Sequence, residues 1–319
     1  MREVGLISCI DFMVVEQAKI RPINSGYVLR LASFFVFSLT VALLSLPALL
    51  GCLFTFGLLY PPCGSSHLTP GEYGYDWEDV TIQARAGGSF RGYFIPGSNG
   101  ATIITPPPFA GGRDFRLREA EVLLRHGYSV LTFESRRCAG MGPLSLGYRE
   151  VEEVADALDY LQTRPDVNPD RIGIHGFSSA GATAVMAAAR FPALRAVVAE
   201  GGYGDFAEET LTPRPGWGPV AYFETVYYGS IKLTYQLITG LDIDRLSPTD
   251  VIGQTAPRPI LLIYGSREVS LAGARHQQDA AGNNATLWIV EGAGHGNYLD
   301  IAPQEYERRL VEFFDATLK

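Results

Sequence analysis

The sequence predicts an α/β protein: a mostly parallel sheet of about eight strands with helices on both faces and a cap insertion, preceded by one membrane-spanning helix. Three observations carry this expectation. Residues Leu31 to Tyr60 contain no charge, where roughly 20 apolar residues suffice to cross a bilayer. Beyond Trp77, apolar runs of strand length recur with helical stretches between them. Two opening strands followed by strand, helix, strand, helix imply a sheet covered on both faces.

The first 30 residues read as a cytoplasmic segment. Arg2, Lys19, Arg21 and Arg30 precede the span, whereas the nearest charges after it are Glu72, Asp76, Glu78 and Asp79. The positive-inside rule then makes the protein single-pass, with its N-terminus cytoplasmic and its C-terminal part extracytoplasmic. A start at Met13 leaves this unchanged. A cleaved secretory signal has a shorter apolar region nearer the first methionine. Leu49-Leu50-Gly51-Cys52 has the outline of a lipoprotein cleavage site, but the apolar run continues to Tyr60. A core helix of this length would show one polar face. Residues 31–60 are therefore the transmembrane helix, kinked at Pro47. Residues 61–76 form a breaker-rich linker with Pro61, Pro62, Gly64, Ser65, Ser66, Pro70 and Gly71, and residues 77–319 form the soluble domain.

Strands are expected at Val80 to Ala84, Phe90 to Ile95, Thr102 to Thr105, Ser129 to Phe133, Ile172 to His175, Ala196 to Ala199, Ile260 to Tyr264 and Thr286 to Val290. Helices are expected at Arg116 to His126, Val151 to Thr163, Ser179 to Arg190, Leu271 to Ala281 and Pro303 to Leu318. In such sheets chemistry collects beyond the carboxyl ends of the strands. With 319 residues, 47% of them apolar, the chain can bury a real core, which excludes disorder throughout. A net charge of −8 argues against a nucleic-acid partner. Cys9, Cys52, Cys63 and Cys138 show no C-x-x-C spacing, so no structural zinc is expected. Pairing of Cys63 with Cys138 stays open.

After the strand ending at His175 comes Gly176-Phe177-Ser178-Ser179-Ala180-Gly181 and then an alanine-rich helix. A strand, a tight turn with serine at its apex, and a helix make a nucleophile elbow. The turn crowds the residues two before and two after the nucleophile. Around Ser178 these are Gly176 and Ala180; around Ser179 they are Phe177 and Gly181, and phenylalanine would clash. Ser178 is the expected nucleophile.

Here the chain resembles the α/β-hydrolase superfamily over roughly residues 77–319, closest to its esterase and prolyl-oligopeptidase-like branches. The resemblance implies the order serine, acid, histidine, each in the loop after a late strand. Of five histidines, His67 lies beside the span, His126 ends a helix, His175 sits in a strand end and His276 falls on a helix. His295 remains, in the glycine-flanked loop after the last strand, and a serine hydroxyl needs such an imidazole to take its proton. The family places aspartate three residues after Gly265, and here that position holds Glu268. Glu200, Asp205 and Asp279 are the reserve acids.

One oxyanion donor should be the N–H of Ser179. The other should come from Pro106-Pro107-Pro108-Phe109-Ala110-Gly111-Gly112, where relatives carry histidine-glycine; proline has no N–H, so Phe109 is the first usable donor. Glu134, replacing an aspartate, reads as structural. The stretch of about 201–256 reads as a cap over the site, and its aromatics Tyr203, Trp217, Tyr222, Phe223, Tyr227, Tyr228 and Tyr235 either line an acyl pocket or build the cap's own core.

The expected function is a membrane-anchored serine hydrolase cleaving an ester, thioester or amide of a small-molecule or peptide acyl substrate through an acyl-Ser178 intermediate, without metal or organic cofactor. Besides the bilayer, no protein partner is indicated. The alternative is a non-catalytic hydrolase-like domain at the membrane surface, suggested by the prolines of the oxyanion loop and by glutamate in place of aspartate.

Overall fold

The computed structural model describes residues 25–64, 68–109 and 111–318. The first 24 residues, with Arg2, Met13, Lys19 and Arg21, lie outside the described residues, as do Ser65, Ser66 and His67.

Helix α1 runs over Ser25–Leu59, 35 residues with Pro47 inside it, so it starts before the expected 31 and takes in Arg30. Its stretch Gly26–Leu59 is long and apolar enough to cross a membrane. The chain divides inside this helix, after Leu46. From there on, Pro47, Gly51, Thr55 and Leu59 are buried, the one-face spacing of a helix. Leu59 is fully buried among cap residues, and its carbonyl accepts the Leu144 N–H at 3.0 Å.

The domain is an eight-stranded sheet in the order β1-β2-β4-β3-β5-β6-β7-β8. The strands are β1 (Glu78–Gln83), β2 (Ser89–Ile95), β3 (Thr102–Thr105), β4 (Ser129–Phe133), β5 (Ile172–Phe177), β6 (Leu194–Glu200), β7 (Ile260–Gly265) and β8 (Ala285–Val290). β1 pairs with β2, and β2 with β4, antiparallel; all later pairs are parallel. Every residue of β3, β4 and β7 is buried, as a strand covered on both faces requires. Edge strand β1 instead alternates.

Helices α3 (Glu150–Gln162), α4 (Ser179–Arg190) and α8 (Leu271–Ala281) pack on one face. Helices α2 (Leu117–Arg125), α9 (Tyr298–Ile301) and α10 (Pro303–Leu318) cover the other. Between β6 and β7 come α5 (Phe206–Thr210), α6 (Pro219–Thr239) and α7 (Pro248–Ile252). α6 opens with Pro219 at its first turn and closes at Gly240 with φ 73°, the residue types that favour those two positions. These cap helices have a core of their own around Phe206, Leu211, Ile231 and Tyr235, joined by Leu59 and Leu146. Of the cap aromatics, Tyr235 is fully buried in this core, whereas Tyr203 packs against it and also lines a cavity shared with Ser178 and His295.

Cys63 and Cys138 form a disulfide with Cα atoms 5.5 Å apart, closing a stretch of 75 residues. It ties the chain just beyond α1 to the loop after β4. Loop-closure entropy gives such a crosslink a stabilisation of about 4 kcal/mol. Full-length protein in detergent should therefore unfold at clearly lower urea after treatment with a phosphine reductant, and Cys63→Ser should match the reduced protein. Coincident urea curves before and after reduction would contradict this.

Candidate active site

The carboxyl ends of β5, β7 and β8 bring together the residues the sequence singles out. Ser178 follows β5 with φ 56° and ψ −126°, a backbone region that a non-glycine residue occupies only where surrounding structure forces it. The forcing contacts are visible. Ser178 N–H donates to the Glu200 carbonyl at 2.7 Å, and a Cβ on Gly176 would sit 2.1 Å from the Ala180 carbonyl oxygen. Only glycine fits at 176, and Ala180 is buried, as the choice of Ser178 over Ser179 requires.

Ser178 Oγ lies 3.0 Å from His295 Nε2, and His295 Nδ1 lies 3.1 Å from Glu268 Oε2. A carboxylate only accepts, so the Nδ1 proton is the donor there and Nε2 of the neutral ring is left to accept the Ser178 hydroxyl proton. Glu268 also accepts from the Gly265 N–H at 2.7 Å, the Ser270 hydroxyl and the Tyr298 hydroxyl. Burial pushes its carboxyl up, but the hydrogen bonds from His295, Tyr298 and Gly265 outweigh burial and hold it below the ordinary carboxylate range. The Phe177 ring packs on the imidazole with centroids 4.7 Å apart.

The other carboxylates serve elsewhere. Glu200, fully buried, is bound by Arg116 Nη2 and the Tyr306 hydroxyl, both at 2.5 Å, and faces His175 Nε2 at 2.8 Å. Burial raises this carboxyl, and the positive and hydrogen-bonding partners overcome it, bringing it down to about 2. Arg116 in turn stacks over Phe177 at 4.5 Å, so the cluster buttresses the elbow from beneath. Asp205 precedes α5 and Asp279 lies in α8; neither is bonded to His295 among the described residues. Glu134 accepts the Arg91 backbone N–H at 2.9 Å, a structural bond. Tyr298 was not singled out from sequence; its place three residues beyond His295, opening α9, is the signal that marks it.

Ser179 opens α4, so its N–H has no carbonyl one turn earlier and is directed out of the helix start. Phe109 has φ 43°, and its N–H donates to Ser179 Oγ at 3.0 Å. The second expected oxyanion donor is thus engaged by the neighbour of the nucleophile. Among the described residues no group of three or more His, Cys, Asp or Glu side chains is arranged to hold a metal.

Ser178, His295 and Phe109 stand between two cavities. One, of 410 Å³, is walled by Leu146, Tyr203, Phe206 and the 267–270 loop. The other, of 590 Å³, lies between Pro61, Pro62 and Gly64 of the linker and Pro108, Phe115 and Phe177. The size of each suits a bound small molecule.

Residues 76–221 match the family of X-Pro dipeptidyl-peptidases (S15 family). Among curated relatives, the uncharacterized protein YfhR of Escherichia coli O157:H7 is 27% identical over 61% of this chain and 66% of its own length. The thiohydrolase aneE of Aspergillus aculeatus is 30% identical over 35% of this chain and 37% of its own. The chain thus spans less than two thirds of either relative. The solved Pyrococcus furiosus esterase Pf2001 superposes with a TM-score of 0.65 at 20% identity, over 82% of this chain and 99% of that one, a likeness of fold. With the mostly parallel eight-stranded sheet and the serine elbow, the superposition shows that the chain has the α/β-hydrolase fold.

Proposed function

We propose that the protein is a membrane-anchored hydrolase that cleaves an ester, thioester or amide bond through an acyl intermediate on Ser178. The observation that carries this reading is the chain of hydrogen bonds from Ser178 to His295 to Glu268. Ser178 Oγ attacks the acyl carbon as its proton passes to His295 Nε2. The new imidazolium lies against the ionised Glu268, which stabilises the charge and fixes the ring's tautomer. Charge on the former carbonyl oxygen builds beside the Ser179 N–H at the positive end of α4, where one such donor commonly supplies about 3 kcal/mol. Rotation of the Ser179 hydroxyl releases the Phe109 N–H as the second donor. The leaving group takes the proton from Nε2, and water repeats the sequence to free the acid.

Helix α1 serves as the anchor. The Cys63–Cys138 bridge favours an extracytoplasmic domain, because such bonds persist in oxidising compartments and are rare in the cytosol. The match to dipeptidyl-peptidases supports an amide substrate and the relative described as a thiohydrolase supports a thioester.

A fluorophosphonate probe tests the nucleophile. Wild type and Ser179→Ala should be labelled, Ser178→Ala should not, and the modified peptide should contain residue 178. Equal labelling of wild type and Ser178→Ala would sink the assignment.

A further inference from the structure

Cap helix α6 carries an apolar face that nothing in the described chain covers. Leu233 is 57% and Leu237 76% exposed, Val220 is exposed on the same helix, and Trp217 just ahead of it is fully exposed. The helix's two charged residues are drawn to partners: Glu224 to Arg214, and Lys232 to Asp244 at 2.6 Å. Large apolar side chains exposed together on one element mark an interaction surface.

The last turns of α1 run against this helix. A Cβ on Gly51 would sit 1.9 Å from Ser230 Oγ and 2.5 Å from the Tyr227 carbonyl oxygen, so the backbones approach closely. One turn along, Cys52 Sγ meets Thr234 Oγ1 at 3.2 Å. Small residues at the crossing with hydroxyl contacts across it are the packing mode of helices in lipid. Away from the contact, α1 exposes Leu49, Leu53 and Phe56, so both neighbouring helices present apolar side chains to their surroundings.

We propose that the bilayer holding α1 also receives the exposed face of α6, so that the catalytic cleft opens at the lipid surface and its substrate is a long acyl chain carried by a membrane lipid. This rests on the reading of α1 as a membrane span. The occupant follows from continuity, since the α6 face adjoins the last turns of an apolar helix with no charge from Leu31 to Tyr60. The cleft fits the same substrate. Its 590 Å³ cavity is walled by Pro61, Pro62 and Gly64, the first residues beyond α1, and it reaches Ser178 directly. On its inner side α6 packs Ile231 and Tyr235 into the cluster that holds Leu146 and Phe206, which wall the second cavity. A helix seated in lipid is thereby one packing layer away from that cavity, behind Leu146 and Phe206.

The test uses full-length protein in phosphatidylcholine vesicles. Wild type should resist extraction by alkaline carbonate; its release would overturn the membrane-span reading itself. In a Cys9→Ser, Cys52→Ser background, a bimane fluorophore on Leu237→Cys should be quenched by lipid-borne nitroxide and shielded from aqueous iodide. The same label on Asp170→Cys should behave oppositely. Quenching of the 237 label by iodide, or shielding from both quenchers by a second copy, would overturn the proposal while α1 remains embedded. The Leu233→Glu, Leu237→Glu double variant should keep its turnover of soluble p-nitrophenyl acetate and lose at least tenfold on a long-chain acyl ester dispersed in the vesicles. Undiminished turnover of the vesicle ester would refute it. Leu237→Gln carries the same comparison should the double variant fail to fold.

Discussion

Alanine in place of His295 is expected to lower kcat/KM on a p-nitrophenyl ester by roughly 10⁴-fold, with little change in thermal unfolding. The ring lies between Ser178 Oγ and Glu268 Oε2 at 3.0 and 3.1 Å, and no other side chain among the described residues is bonded to the Ser178 hydroxyl. Without it the hydroxyl keeps its proton during attack, and the departing group has no acid to protonate it. Binding and the Ser179 N–H would leave a residual rate above that of water. Stability should be spared because His295 is half exposed, and exposed positions rarely contribute more than about 0.5 kcal/mol. Glu268, held below the ordinary carboxylate range, stays ionised into acid and so remains an acceptor for Nδ1. Steady-state kinetics of the purified full chain decide the matter: a loss below tenfold would remove His295 from the chemistry.

Glu200→Ala is expected to destabilise the fold by about 3–5 kcal/mol, the usual consequence of removing one member of a buried ion pair. The carboxylate is fully buried and neutralises Arg116, whose remaining carboxylate partner is Glu119 at 3.1 Å. Its loss strands a guanidinium under the elbow and frees the His175 and Tyr306 donors. The same group predicts a pH dependence. Its carboxyl falls from an ordinary 4.5 to about 2 on folding, so the unfolded chain binds the proton more readily. At about 1.4 kcal/mol per pH unit this is worth on the order of 3 kcal/mol. That stability is present in full above pH 4.5 and drains away as pH falls through 2. Urea unfolding of the full chain in detergent at several pH values should show this slope in wild type and lack it in Glu200→Gln. Parallel slopes would contradict the assignment.

The sheet was legible because its strands alternate with helices whose periodicity is unmistakable: the predicted cores of β3, β4 and α4 agree with the observed bounds to the residue. The elbow was legible for a steric reason, since phenylalanine cannot occupy the position where Gly176 touches the Ala180 carbonyl. Less could be read where a residue's role depends on distant chain. Glu200 ends one late strand and Glu268 lies just beyond the next, so the two look alike in sequence; only the partners Arg116, His175 and Tyr306, from three separate elements, set Glu200 aside. The engagement of the Phe109 N–H by Ser179 Oγ joins residues 70 positions apart and leaves no local trace. α6 escaped notice although Pro219 and Gly240 bracket it, because its apolar residues run round the helix instead of keeping to one stripe.

The bridge between Cys63 and Cys138 bears on how the molecule must be made. Pro61, Pro62 and Gly64, which flank the first of these cysteines, wall the larger cavity. A polypeptide retained where glutathione keeps thiols apart would leave that wall unfastened. On the proposed extracytoplasmic reading, a competent site would be complete only after translocation and encounter with a thiol oxidant, which would tie the onset of the proposed activity to arrival at its destination.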